Sequence, residues 1–129
     1  MSASESFDAV ILQVIFTYCQ HVEELLEEYG RDEALFYSRR SFRDSVSMNV
    51  LCIGEYAGRL SEEYRLRTCD RIPWQAIRAM RNRFAHNYMG MDAKMIWDTA
   101  VHEVPLLQVF CAEQLAAMEM KIPAEEIDL

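Results

Sequence analysis

Glycine and proline are scarce in this chain, at four and three among 129 residues. The stretches between them run long, and none alternates apolar with polar residues as a half-buried strand does, which excludes a β-fold. No apolar run is long enough to cross a bilayer. Ala9-Val10-Ile11-Leu12 breaks at Gln13, far short of the roughly 20 residues a spanning helix needs. The N-terminus opens on Ser2, Ser4, Glu5, Ser6 and Asp8, where a secretory leader carries positive charge, so the expected location is the cytoplasm. Cys19, Cys52, Cys69 and Cys111 are far apart with no CxxC pair and read as reduced thiols. His21, His86 and His102 form no HxxxH or Cys/His grouping, so no metal or cofactor is expected. Basic residues are in the minority, 13 against 21 acidic, for a net charge of −8. That balance excludes a generic nucleic-acid coat, a polybasic membrane-surface protein and a histone-like binder.

What is present is an ordinary globular composition, 51% hydrophobic and 26% charged, in a length that fits one domain spanning residues 1–129. The charge is unevenly spread. Between positions 65 and 88, Arg65, Arg67, Arg71, Arg78, Arg81 and Arg83 face only Asp70, a window of +5. The remaining 7 basic and 20 acidic residues carry −13.

Helical periodicity runs through nearly the whole chain. Phe7, Val10, Ile11, Val14, Ile15, Tyr18, Val22, Leu25, Leu26 and Tyr29 step by three and four, with a serine cap before them and Gly30 as the stop. Glu23, Glu24, Glu27 and Glu28 form the solvated face. A short segment over residues 32–37 leads to a second long helix over 41–60, with Phe42, Val46, Val50, Ile53, Tyr56, Ala57 and Leu60 on its apolar line. Residues 61–71 read as a polar connection with at most one helical turn at 61–64. Pro73 opens a third long helix that Gly90 interrupts, and Asp92 caps a fourth. Pro105 is expected to kink that helix or start another. The acidic tail over 121–129 is expected to fray. The fold class is therefore all-α, an up-and-down bundle of four to five helices.

The arginine-rich window contains Arg81-Asn82-Arg83-Phe84-Ala85-His86-Asn87-Tyr88. Arginine is a permanently charged fork that fits a phosphate, and histidine moves protons near neutral pH. Together they suit cleavage of an RNA phosphodiester: one group deprotonates the ribose 2′-OH, another protonates the leaving 5′-oxygen, and a cation steadies the phosphoryl charge. Five residues at 100° each set Arg81 and His86 about 140° apart around a helix. One straight helix does not aim both at one point, so either the helix ends near His86 or a second protomer completes the site. One histidine per chain also struggles to be both base and acid, which favours a dimer. The Arg-x4-His-x-Tyr spacing is expected by chance roughly 0.01 times in a chain of this composition. The competing reading has His86 capping helix-end carbonyls, Arg81 in a surface ion pair and Tyr88 packed on the core.

Arg81-x4-His86-x-Tyr88 resembles the signature of the HEPN superfamily, specifically its HepT-like toxin ribonucleases. Ile53-Gly54-Glu55, Ile72-Pro73-Trp74, Arg81-Asn82, Gly90-Met91-Asp92 and Trp97 keep that family's order from about residue 36 to 110. The resemblance implies a helical homodimer that cleaves RNA without metal in a shared cleft. His86 is then the catalytic acid/base and Arg81 the phosphate-binding partner, with Asn82 orienting the site. Tyr88 matches the tyrosine that a nucleotidyltransferase antitoxin modifies with AMP, placing an anionic nucleotide in competition with RNA for the same arginines. Glu55 matches a recurrent family acid, supporting a site or simply pairing with a nearby arginine. Tyr56 departs from the pattern, standing where the family often has a small residue.

Among the other candidates, Arg78 and Arg83 extend the phosphate surface or are ordinary exposed residues. Arg71, with Arg65 and Arg67, lies toward the cleft mouth. Trp74 and Trp97 read as core or dimer anchors, His102 as a surface residue, and the eight methionines as packing. The alternative function is a non-catalytic helical module that binds nucleotide or RNA and docks a nucleotidyltransferase.

Overall fold

The computed structural model describes residues 1–123. Four long helical segments make the bundle: α1 (Ala3–Glu28), α3 (Arg40–Ala57), α5 (Trp74–Asn87), and α6 (Ala93–Asp98) running through a wider turn into α7 (Val104–Ala117). Two short helices, α2 (Glu33–Ser38) and α4 (Glu62–Thr68), fill the connections. α1 lies at the centre, packed on α3 and α7, and α5 lies on the far side of α3.

The N-terminus of α1 is a reciprocal capping box: Ser2 Oγ accepts from the Glu5 amide while Glu5 takes the Ser2 amide. Its stripe of Leu12, Ile15, Val22 and Leu26 is fully buried against Phe42 and Val46 of α3 and Phe110 and Leu115 of α7. On the opposite face Arg31 pairs with Glu23 and Glu27. Beyond α7 the chain turns back over α1. Gln13 Nε2 donates to the Lys121 carbonyl at 2.8 Å and Pro123 is buried, so residues 121–123 are held in place. The rest of the tail expected to fray lies outside the described residues.

The short segment over 32–37 is helical, the helical turn expected at 61–64 extends to Thr68, and each has a packing cause. α2, capped by Asp32, is fixed by one residue: Phe36 is fully buried, with its ring 5.4 Å from Phe42 and 5.2 Å from Trp97. α4 replaces the polar connection over 61–71. Ser61 caps it, and Ser61 is itself held by buried Asp8, whose carboxylate accepts from the Ser61 amide at 2.7 Å and its hydroxyl at 2.6 Å. Tyr64 is buried and donates to Gln114 at 2.8 Å, and Trp74 Nε1 donates to Thr68 Oγ1 at 2.9 Å. α4 thus ties α1, α7 and the start of α5 together through satisfied buried polar groups.

Pro73 is the capping residue of α5 rather than its first helical residue. The last helix is interrupted just before Pro105, as the proline predicts. Residues Thr99–Glu103 form a π turn, in which the Val104 amide reaches back to the Thr99 carbonyl, and Pro105 follows in the first turn of α7. The wider turn accommodates the proline ring and its missing donor without ending the helix.

Candidate active site

The proposed site is carried by the C-terminal half of α5 and the 3₁₀ turn Tyr88–Gly90 that follows it. Trp74 and Phe84 are the only residues of α5 that are fully sequestered. Asn82, Arg83, Ala85, His86 and Asn87 all face solvent. The helix ends because the Asn87 side-chain oxygen accepts the Gly90 amide at 3.0 Å, closing a tight turn. A side chain at Gly90 would meet Asn87 Nδ2 at 2.2 Å and displace the Asn87 amide that closes the turn.

Arg81 is placed by the crossing of α5 over α3. A Cβ at Gly54 would lie 2.6 Å from the Arg81 Cβ, so the absence of a side chain at Gly54 sets how closely the two helices approach. Next to that crossing, Glu55 Oε2 lies 2.6 Å from Arg81 Nε. The Nε–H does not point along this line, and the Nε atom has no hydrogen-bond acceptor. The pair is therefore a charge contact, and the outer nitrogens stay available. One of them, Nη1, donates to Asn82 Oδ1 at 3.3 Å. Glu55 also lies 3.6 Å from Arg59, so it is the shared acid of two arginines.

Arg81 and His86 open onto different depressions. Arg81 lines a groove of about 360 Å³ with Arg71, Val50, Ile53, Ile77 and Met80. His86 lines a shallower one of about 350 Å³ with Asn82, Arg83, Asn87, Gly90 and Met91. Asn82 links the two, bonded to Arg81 and exposed beside His86. The separation follows from the angular offset of a five-residue spacing on one helix. Arg83, rather than Arg81, is the arginine that shares the histidine's depression.

The remaining arginines divide into engaged and free. Arg71 lies 2.9 Å from Glu113 and over the Phe110 ring at 4.9 Å. Arg65 donates to the Gly58 and Leu60 carbonyls, and Arg67 lies over the Tyr64 ring at 5.3 Å. These three brace α4 and its surroundings. Arg78 and Arg83 project to solvent, Arg83 making only a long contact to Met95 Sδ at 3.9 Å.

Tyr88 is half-buried and stacks on Phe84, ring centroids 5.9 Å apart. Its hydroxyl donates to Asp44 of α3. Burial and then this bond to an anion push the Tyr88 phenol above its ordinary value. The same bond, with help from Arg40 and Arg43, holds the Asp44 carboxyl below the usual carboxylate range. Asp44, Arg40 and Arg43 were not singled out in the sequence. A signal existed, because Arg39, Arg40 and Arg43 crowd the first turns of α3, where the helix dipole favours acids.

The Ribonuclease HepT-like family profile matches residues 15–114, a span that contains every residue of this site. The chain belongs to the HepT-like ribonuclease family. Within the curated HepT-like relatives, a protein named as an RNase from Caldanaerobacter subterraneus subsp. tengcongensis is 32% identical over 82 residues, 64% of this chain and 66% of that protein. A protein named as a ribonuclease HepT from Thermococcus cleftensis is 28% identical over 87 residues, 66% and 78% of the two chains. A Methanocaldococcus jannaschii protein named as an RNase is 24% identical over 91 residues, 70% and 76%. The chain spans just under two thirds of the first of these and more of the other two. No solved structure matches it. No helix among the described residues is long and apolar enough to cross a membrane.

Proposed function

We propose that this HepT-like chain is a cytoplasmic endoribonuclease that cleaves RNA without a metal ion, as the toxin of a toxin–antitoxin pair. The observation that carries the reading is the Arg81/His86 set on the outer half of α5, with His86 facing solvent and half-buried Arg81 braced by Glu55. A structural histidine would have its ring nitrogens taken up by the fold. The His86 ring forms no hydrogen bond or ion pair among the described residues, and Arg81 keeps its outer nitrogens for a phosphate. His86 exchanges the proton of the 2′-hydroxyl or the 5′-leaving oxygen, and Arg81 stabilises the charge on the phosphoryl oxygens. Arg78 and Arg83 extend the cationic surface along the RNA strand.

A second copy completes the site. Arg81 and His86 face different depressions, so a two-fold arrangement that pairs the exposed faces of two α5 helices supplies an arginine from one protomer and a second histidine from the other. Tyr88 is the point of control: a partner nucleotidyltransferase adds AMP there, and the anionic nucleotide competes with RNA for the surrounding arginines.

The test is cleavage of single-stranded RNA by the purified full chain in EDTA. Products with cyclic-phosphate or related 3′ ends are expected, and His86→Ala or Arg81→Ala is expected to slow cleavage about 10²–10⁴-fold. Cleavage by both variants at the wild-type rate would refute the assignment of these residues, and no cleavage by wild type would leave a binding module. Tyr88→Phe is expected to cleave RNA yet escape silencing by the transferase. AMP found only on another tyrosine would refute the control point.

A further inference from the structure

Tyr88 sits in a recess of about 130 Å³ whose walls include Arg40, Arg43, Asp44 and Met91. Pockets that take a whole small molecule are about 300–1,000 Å³, so this one has room for a phosphate and not for a nucleoside. Its polar lining is one tyrosine hydroxyl, the carboxylate that accepts from it, and two arginines. Arg43 is fixed, donating to the Tyr37 carbonyl at 2.6 Å. Arg40 is free to move: its side chain is 79% exposed and touches Asp44 only at 3.3 Å.

We propose that Asp44 is the built-in base for nucleotidyl transfer onto Tyr88, with Arg40 and Arg43 receiving the transferred phosphate. The inference rests on the reading of Tyr88 as an AMP acceptor and adds how this chain takes part in its own modification. In the step, Tyr88 Oη forms a bond to the α-phosphorus of a nucleoside triphosphate. The bond from that phosphorus to the β-bridging oxygen breaks, and pyrophosphate leaves with the electron pair. The hydroxyl proton passes to Asp44 and from there to solvent. Burial and the Asp44 bond disfavour a free phenolate, so the proton must leave during the transfer. A carboxylate bonded to the attacking hydroxyl is the arrangement that protein kinases use on their substrates. The product is a phosphodiester anion, which Arg40 can reach once Asp44 is protonated and releases it.

Tyr37 provides the internal comparison. Its hydroxyl also donates to a carboxylate, Glu33, at 2.7 Å, but it lies on the open surface of α2 with no arginine recess. The probe is adenosine 5′-phosphorimidazolide, which delivers AMP with imidazole as leaving group and needs no partner enzyme. Adducts at each of the six tyrosines are followed by mass spectrometry on the full-length protein. Tyr88 is expected to label faster than Tyr37. Asp44→Asn keeps an acceptor oxygen and so preserves the packing, which a melting curve checks. It is expected to slow Tyr88 labelling about 10–100-fold, at or below the lower range of general-base effects, with Tyr37 unchanged. Asp44→Glu is expected to restore part of the rate. Equal Tyr88 labelling in wild type and Asp44→Asn, or an inert Tyr88 in the wild type, would overturn the proposal. RNA cleavage by the adduct separates the two readings. Asp44-dependent labelling that leaves cleavage intact sinks the silencing role and keeps the base. Silencing adducts that form at equal rates in both proteins do the reverse.

Discussion

The two halves of α5 are built on different terms. At its start, Trp74 is buried, its indole N–H is satisfied by Thr68, and Thr68 belongs to a helix tied to α1 and α7. At its end, only Phe84 is buried, and the polar side chains rest on a few local contacts: Glu55 and Asn82 for Arg81, Asp44 for Tyr88, Asn87 for the closing turn. The first half fixes where the helix is. The second presents chemistry from a scaffold whose stability does not depend on it. Residues of the second half can therefore change function with little effect on folding, and residues of the first half the reverse.

Substitutions in the two halves test that division directly. Trp74→Ala should have the largest effect on stability, a loss of about 3–5 kcal/mol, since it opens a cavity and leaves the Thr68 hydroxyl only its bond to the Tyr64 carbonyl. Chemical denaturation measures it, and His86→Ala in parallel should stay within about 0.5 kcal/mol of wild type. A large loss for His86→Ala would break the comparison. Gly54→Ala lies where the halves meet. Its methyl would strike the Arg81 Cβ, so it should cost about 1–3 kcal/mol and slow RNA cleavage as well, since α5 must shift. Glu55→Gln should have a small effect on folding, below about 1 kcal/mol, because both partners are more than a third exposed and solvent screens the pair. It should still slow cleavage about tenfold by loosening Arg81, mostly in kcat. Unchanged kcat would assign Glu55 to the helix surface alone.

Much of this organisation was legible in the sequence, in proportion to how far local physics decides it. The long helices, a serine cap on the first and the Asp92 cap follow from periodicity and capping chemistry, and so does the burial of Trp74 and Trp97. The full length of α4 was not legible, because its single deeply packed aromatic, Tyr64, and its buried Asp8–Ser61 contact join residues 53 apart in the chain. No short window reports such a contact. The helical form of α2 was hidden for the same reason, since Phe36 is buried by partners on α3 and α6. Pro105 signalled the interruption of the last helix, though not its form as a π turn. At the site, the motif placed Arg81, His86 and Tyr88 on one helix end, and its spacing anticipated that Arg81 and His86 would diverge. Asp44 escaped notice because its partner is 44 residues away. Arg71 stood with the candidate RNA-binding arginines by charge alone. The structure engages it with Glu113 and Phe110 while leaving it on the groove beside Arg81.

The central claim is that half-buried Arg81 and exposed His86 cleave RNA in a cleft completed by a second copy of the chain. Refolding wild type together with His86→Ala at fixed total protein, so that protomers mix at random, tests it most directly. If both histidines of one cleft are needed, cleavage falls as the square of the wild-type fraction, to about a quarter at an equal mixture. A linear fall, to about half at that mixture, would contradict the shared cleft, and no cleavage by wild type alone would contradict the ribonuclease reading itself.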